Sequence, residues 1–158
     1  MRIGFGYDAH RLTGDRKLIL GGVHIPFDKG LLGHSDADVL VHAIGDALLG
    51  AAALGDLGVY FPPTDPQYKD ISSLILLQKI YKMLTIRGFG IDNVDATIVA
   101  EQPKLNPFVG QMRQNIADIL GCKVEKISIK ATTTEGLGFA GSGEGMAAYA
   151  VCVIEEFK

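Results

Sequence analysis

The chain has 158 residues, 47% hydrophobic and 21% charged, with a formal net charge of −3 at pH 7. That length predicts one domain burying roughly 70% of the surface its unfolded chain exposes. The mild acidity, without a Lys/Arg block, argues against nucleic-acid binding through a basic patch, and no apolar run is long enough to span a bilayer.

Residues 2–8 read as a strand that ends in Gly6-Tyr7-Asp8-Ala9-His10. Side chains two apart on a strand share a face, so Asp8 and His10 can converge on one point. Lys17–Leu20 and Val23–Ile25 read as a hairpin turned by Gly21-Gly22. A helix is predicted over 36–54, with Ser35 as N-cap in an S-x-x-D pattern completed by Asp38. Its free N–H groups suit an anion, and His34 can add a donor. The helix is nearly all apolar except Asp38, His42 and Asp46, spaced i, i+4, i+8. Burying unpaired charge costs several kcal/mol, so this stripe is expected to face water, a partner or a ligand. His42 is then a candidate third ligand beside Asp8 and His10. Such a set suits Zn²⁺ and leaves a fourth position open for chemistry. Asp46 is the candidate acceptor for the second nitrogen of His42.

Residues 55–70 are too long for a bare connection and read as a candidate mobile loop. A second helix is predicted over 71–87, a strand over 93–101, and a third helix over 107–120, opened by proline. Between the last two, Ala100-Glu101-Gln102-Pro103-Lys104-Leu105 is a proline-set turn whose backbone groups can read a base edge. Strands over 126–133 and 146–155 close the chain. Thr132-Thr133-Thr134-Glu135 leads into a glycine-rich turn, a combination able to cradle phosphates and hold a hard cation. It is not a Walker loop. Interleaved strands and helices predict an α+β fold: a single layered domain over 1–158, with a mixed sheet and helices packed on one face. Cys122 and Cys152, in no paired or metal-type spacing, read as small buried residues in a reducing compartment. The N-terminus shows no signal-peptide pattern, so the cytoplasm is the expected location.

Seven segments taken in order resemble one family. They are G-Y-D-A-H-R at 6–11, L-G-G-V-H-I-P at 20–26, G-H-S-D-A-D-V-L-V-H-A at 33–43, D-A-L-L-G-A-A-A-L-G-D-L-G at 46–58, F-P-P-T-D-P at 61–66, A-E-Q-P-K at 100–104 and K-A-T-T-T-E-G-L-G-F at 130–139. The family is 2-C-methyl-D-erythritol 2,4-cyclodiphosphate synthase, of the non-mevalonate (MEP) isoprenoid pathway. The resemblance implies a bacterial cytoplasmic enzyme, or a mature plastid one. It also implies a homotrimer with active sites between subunits, and no nucleic-acid or membrane partner. The substrate would be 4-diphosphocytidyl-2-C-methyl-D-erythritol 2-phosphate, cyclised with release of CMP by a phosphorus–oxygen lyase.

Carried onto this sequence, the resemblance gives Asp8, His10 and His42 one Zn²⁺ per subunit, and gives Glu135 a second divalent cation, Mg²⁺ or Mn²⁺. His34, Thr133 and Glu135 take the catalytic roles. His34 and Ser35 bind phosphate, and Thr133 aligns the diphosphate. Asp8, Ala9 and His10 also contact substrate, while Asp56, Leu57 and Gly58 meet the methylerythritol. Phe61, Pro62, Pro63, Thr64 and Asp65 form a substrate loop. Ala100, Glu101, Gln102, Pro103, Lys104, Leu105 and Asn106, with Thr132 and Thr134, form the cytidine pocket, and Phe139 and Ser142 complete the lining. Two positions depart from the family pattern. Pro63 stands where Asp is usual, and Ser142 where Arg or Lys is usual. The missing cation normally binds phosphate and faces a central trimer cavity that accepts isoprenoid diphosphates, so binding there is expected to be weaker.

Overall fold

In the computed structural model, which describes residues 1–157, the chain runs β1 (Arg2–Thr13), β2 (Leu18–Leu20), β3 (Val23–Ile25), β4 (Gly30–Leu31), α1 (Val39–Ala51), α2 (Leu57–Tyr60), α3 (Ser73–Ile86), β5 (Phe89–Val99), α4 (Asn106–Ile119), β6 (Ile127–Thr132), α5 (Gly138–Gly141) and β7 (Gly145–Glu156). The main sheet has the order β4-β1-β7-β5-β6. Only β5 and β6 are parallel, so the sheet is mixed as expected. β1 pairs with β7 from Arg2↔Ile154 to Arg11↔Gly145. β5 starts at Phe89 rather than 93, because a bulge between Ile91 and Asn93 lets the apolar pair Phe89 and Ile91 join the sheet.

The helices lie on one face. α1 crosses β1 and β7, α3 packs on α1, and α4 covers β6. Leu40, Ile44 and Leu48 of α1 meet the core shared with Leu77, Ile80 and Leu84 of α3, all fully buried. α1 sits unusually close to β1. A Cβ added to Gly4 would come 1.8 Å from the Ala47 carbonyl oxygen, and one on Gly6 1.9 Å from that of Ala43. On the neighbouring strand the facing residues are the buried Ala148, Ala150 and Cys152. The helix therefore lies in a trough of small residues.

α1 begins at Val39, not 36, because Asp38 rather than Ser35 is its N-cap. Asp38 Oδ1 accepts from the N–H groups of Val41 (3.1 Å) and Gly21 (3.0 Å), and Oδ2 from that of Gly22 (2.8 Å). Gly21 and Gly22 have φ of 56° and 72°, the positive values a two-residue hairpin turn requires. The turn thus aims two amides at one carboxylate. Asp38 is fully buried and so does not belong to a solvent-facing stripe. Burial, with the charge of Asp36, pushes its carboxyl up to about 6 against the pull of those three donors.

Residues 55–70 are not bare loop. They hold α2, capped by Asp56, and a 3₁₀ turn at Pro66–Tyr68, capped by Asp65. Both cysteines are free, with Cys152 buried and its thiol pushed up to about 12 by burial. Among the described residues no helix is long and apolar enough to cross a membrane. The sheet face away from the helices is open and apolar. Ile3, Phe5, Tyr7, Tyr149 and Val151 are exposed on it, and Tyr7 packs on Tyr149 with ring centroids 5.0 Å apart.

Gly6→Ala is expected to destabilise the protein by about 1–3 kcal/mol, as overpacking does, lowering the urea midpoint without changing its slope. Gly14→Ala, where an added Cβ meets nothing within 4 Å, is the near-neutral comparison.

Candidate metal centre

β1 delivers Asp8 and His10 from one face, and the seating of α1 on Gly4 and Gly6 lowers His42 onto them. His10 Nε2 lies 2.9 Å and His42 Nδ1 3.0 Å from Asp8 Oδ2, and the two nitrogens are 3.2 Å apart. Ligands at about 2.0–2.1 Å from a tetrahedral Zn²⁺ stand about 3.3 Å from one another. The triangle therefore fits such an ion with a small expansion. Among the described residues it is the one group of three or more His, Cys, Asp or Glu arranged to hold a metal. Burial alone would raise the carboxyl of Asp8, but hydrogen bonds from His10 and His42, and their charge, bring it down to about 2. Burial works against the charged form of His42, and the Asp8 carboxylate outweighs it, raising the imidazole.

Each imidazole is fixed from behind. His10 Nδ1 donates to the Leu32 carbonyl at 2.9 Å, which turns Nε2 toward Asp8 and His42. His42 Nε2 meets Ser73 Oγ at 2.9 Å and Ser35 Oγ at 3.2 Å. Asp46 does not take the role expected of it. Its Oδ1 accepts from the free N–H of Leu57 at 2.8 Å and so pins the start of α2 beside the cluster. Ser35, displaced from the capping role, accepts from the Ala37 N–H at 3.2 Å. Its carbonyl is held by Arg16 Nη2 at 2.6 Å.

The cluster opens into a cavity of ≈ 290 Å³, which also receives His34, Ser35, Leu57, Gly58, Phe61 and Pro63. His34 Nε2 donates to the Asp65 carbonyl at 2.9 Å and ties the 61–65 loop to this wall. Asp56, Pro62, Thr64 and Asp65 stay outside the lining, the two aspartates being occupied as caps. Asp46, Tyr68 and Leu76 line it without having been singled out for that.

A second cavity, of ≈ 440 Å³, gathers Ala100, Glu101, Pro103, Lys104, Leu105 and Asn106 with Thr132 and Thr133. Gln102 and Ser142 fall together in a neighbouring hollow, and Ala9 and Phe139 in another beside His10. The Glu101 carboxylate staples the following loop, accepting from the N–H groups of Thr134 (3.0 Å) and Gly136 (3.1 Å), which hold it below the usual carboxylate range. Thr134 Oγ1 donates to the Leu137 carbonyl at 2.6 Å and lies 3.3 Å from the same Glu101 oxygen. Glu135 is exposed at the tip, at φ 54°. Asp8 faces Ala148, Ala148 faces Ile98, and Ile98 faces Ala131. Three strand spacings, roughly 14 Å, thus separate the metal cluster from the second cavity within one chain.

The YgbB family model matches residues 1–155. A protein of Moorella thermoacetica named 2-C-methyl-D-erythritol 2,4-cyclodiphosphate synthase is 60% identical over 154 residues, covering 98% of this chain and 94% of its own. The structure of bifunctional IspDF from Campylobacter jejuni superposes with a TM-score of 0.96 at 43% identity. It covers 99% of this chain, and the match spans 42% of that longer protein. A CDP complex of Plasmodium falciparum IspF superposes with a TM-score of 0.87 at 32% identity, covering 99% of this chain and 97% of that one.

In the metal-free protein the depressed carboxyl of Asp8 stabilises the fold above the ordinary aspartate range and loses that effect as pH falls toward 2. The raised imidazole of His42 contributes below the ordinary histidine range and loses its effect as pH climbs through the raised value. Asp8→Asn is therefore expected to cost more stability near pH 5.5 than near pH 9, by about 1–2 kcal/mol, in urea unfolding after chelator treatment. Equal losses at both pH values would rule out the ion pair.

Proposed function

We propose that this chain, which belongs to the YgbB family of 2-C-methyl-D-erythritol 2,4-cyclodiphosphate synthases, converts 4-diphosphocytidyl-2-C-methyl-D-erythritol 2-phosphate to the 2,4-cyclodiphosphate in isoprenoid biosynthesis. The observation that carries this reading is the convergence of Asp8, His10 and His42 at the mouth of a cavity that also holds His34 and Ser35. In the reaction an oxygen of the 2-phosphate forms a bond to the β-phosphorus. The bond from that phosphorus to the bridging oxygen breaks, and CMP leaves with the electron pair.

Asp8, His10 and His42 would hold Zn²⁺ and Glu135 would hold Mg²⁺ or Mn²⁺, and these ions, when bound, would neutralise charge on the phosphates. The chain's own part is positioning, which supplies up to ~7–11 kcal/mol to an attack held in line. His34 and Ser35 grip phosphate beside the cluster, and Thr133 aligns the diphosphate at the edge of the second cavity. Leu57, Gly58 and Phe61 wall the methylerythritol. The 100–106 turn with Thr132 receives the cytidine, in keeping with the CDP complex of the Plasmodium relative.

A homotrimer, with each active site shared between neighbouring subunits, is part of the proposal. The exposed apolar sheet face supports it, since five large apolar side chains on one face call for a partner. Ser142 lends no cation to a central cavity; its Oγ bonds the Phe139 carbonyl and Glu144 instead. Isoprenoid diphosphate binding there is accordingly weak. We place the enzyme in the cytoplasm.

³¹P NMR of the purified protein with substrate, Zn²⁺ and Mg²⁺ is expected to show coupled cyclic-diphosphate resonances and released CMP, both abolished by EDTA. Bound CMP with unchanged substrate would instead make this a binding protein that does not turn over. His42→Ala is expected to lose Zn²⁺ and turnover while remaining folded. Glu135→Gln is expected to lose the Mg²⁺ or Mn²⁺ dependence and keep Zn²⁺. Sedimentation equilibrium is expected to give three chains per particle, and a monomer would contradict the shared site.

A further inference from the structure

The residues behind His42 have a fixed polarity. Ser73, fully buried at the first position of α3, places its Oγ 2.9 Å from His42 Nε2 and donates a short hydrogen bond to the Asp36 carboxylate. Asp36 also accepts the Ser73 N–H at 3.0 Å and the Asp38 N–H at 3.1 Å. An ionised carboxylate accepts and never donates, so the single hydroxyl proton of Ser73 points to Asp36. Ser73 Oγ can then only accept from the imidazole, and His42 Nε2 must carry hydrogen. Nδ1 is then the nitrogen left to face Asp8 and His10, and it offers a lone pair once a bound cation has displaced its own proton.

We infer that Ser73, oriented by Asp36, is a positioning residue that selects Nδ1 of His42 as the metal-binding atom and sets the rotation of its ring. The inference rests on the reading of Asp8, His10 and His42 as a metal site. Ser35 is the rival partner of His42, at 3.2 Å, but no carboxylate fixes the direction of its hydroxyl. Its oxygen accepts from the Ala37 N–H and lies 3.5 Å from Ser73 Oγ, and it also lines the cavity. Ser73 is not needed to start α3 either. Ser72 is the N-cap, and the carboxylate of Asp36 satisfies the Ser73 N–H.

The test uses the full chain loaded with Co²⁺, whose ligand imidazoles give separate, strongly shifted ¹H resonances for their exchangeable ring N–H groups. Two such resonances are expected, one from His10 bonded to Leu32 and one from His42. Ser73→Ala is expected to lose the His42 resonance to exchange with water while the His10 resonance stays. In chelator competition the Co²⁺ dissociation constant is expected to rise about 10–100-fold, as loss of a partner behind a ligand does. Ser73→Thr, which keeps the hydroxyl, is expected to restore the resonance and most of the affinity. Should Ser73→Ala fail to fold, Asp36→Asn decides. Its amide can donate to Ser73 Oγ and free the serine proton to face Nε2, so the same resonance is expected to fade.

Unchanged resonances and affinity in the folded variant would overturn the inference. So would loss of the His42 signal in Ser35→Ala but not in Ser73→Ala, or equal disturbance of both histidines, which would mark general loosening. Shifted His10 and His42 resonances that survive Asp8→Ala with unchanged Co²⁺ affinity would defeat the metal-site reading itself, a result distinguishable from failure at Ser73.

Discussion

The contact on which everything else depends is the one between helix α1 and strand β1, made where the strand has no side chains. The Ala43 and Ala47 carbonyl oxygens occupy the space that Cβ atoms at Gly6 and Gly4 would fill. Steric exclusion of this kind does not bend gradually, because packed interiors have little room to give. The position of α1 above the sheet is therefore fixed closely, and so is His42, whose Nδ1 must fall about 3 Å from atoms on another element. A ligand set drawn from a strand and a helix inherits its accuracy from the packing between them. That packing uses backbone against backbone, with Ala148, Ala150 and Cys152 keeping the adjacent strand equally low.

Around the first turn of α1 a polar layer replaces the hydrophobic core. Asp38 ties the hairpin turn to the helix, Asp36 caps α3 from a distance, and Ser73 and Ser35 meet the back of His42. Every buried side-chain polar atom among the described residues has a partner. In a low-dielectric setting a completed network of this kind is rigid, and an incomplete one is costly. The hairpin, two helices and the metal cluster are in this way held by shared atoms.

Much of this was legible in the sequence, and the failures have physical reasons. The glycine pair of the hairpin, the proline opening α4, and Asp8 and His10 on one strand face follow from local rules that tertiary contacts did not override. Ser35 and Asp38 both had cap-forming chemistry, and local sequence could not rank them. The choice fell to Asp38 because two amides of a distant turn arrive there. Asp46 sat at the right helical spacing from His42, but the exposed N–H at the start of α2 took its carboxylate. Ser73 fell within the helix predicted over 71–87 and drew no reading of its own. Its link to His42 spans 31 residues and exists only once α3 docks on α1. Glu101 read as part of a pocket turn, yet its carboxylate serves the loop that carries Thr134 and Glu135. Each miss is a long-range hydrogen bond that competed with a short-range expectation.

The pairing of β1 with β7 has a consequence for how the protein is made. The strand carrying Asp8 and His10 is synthesised long before its partner over residues 145–154. Until then the small-residue trough is half built, and α1 has nothing on one side to rest against. Until β7 emerges, the nascent chain thus carries a long unpaired strand edge, the kind that recruits strangers. Asp8, His10 and His42 come into register only after β7 has closed the sheet. A ribosome that stalls a few codons short of β7 releases the ligands without the geometry that makes them a site.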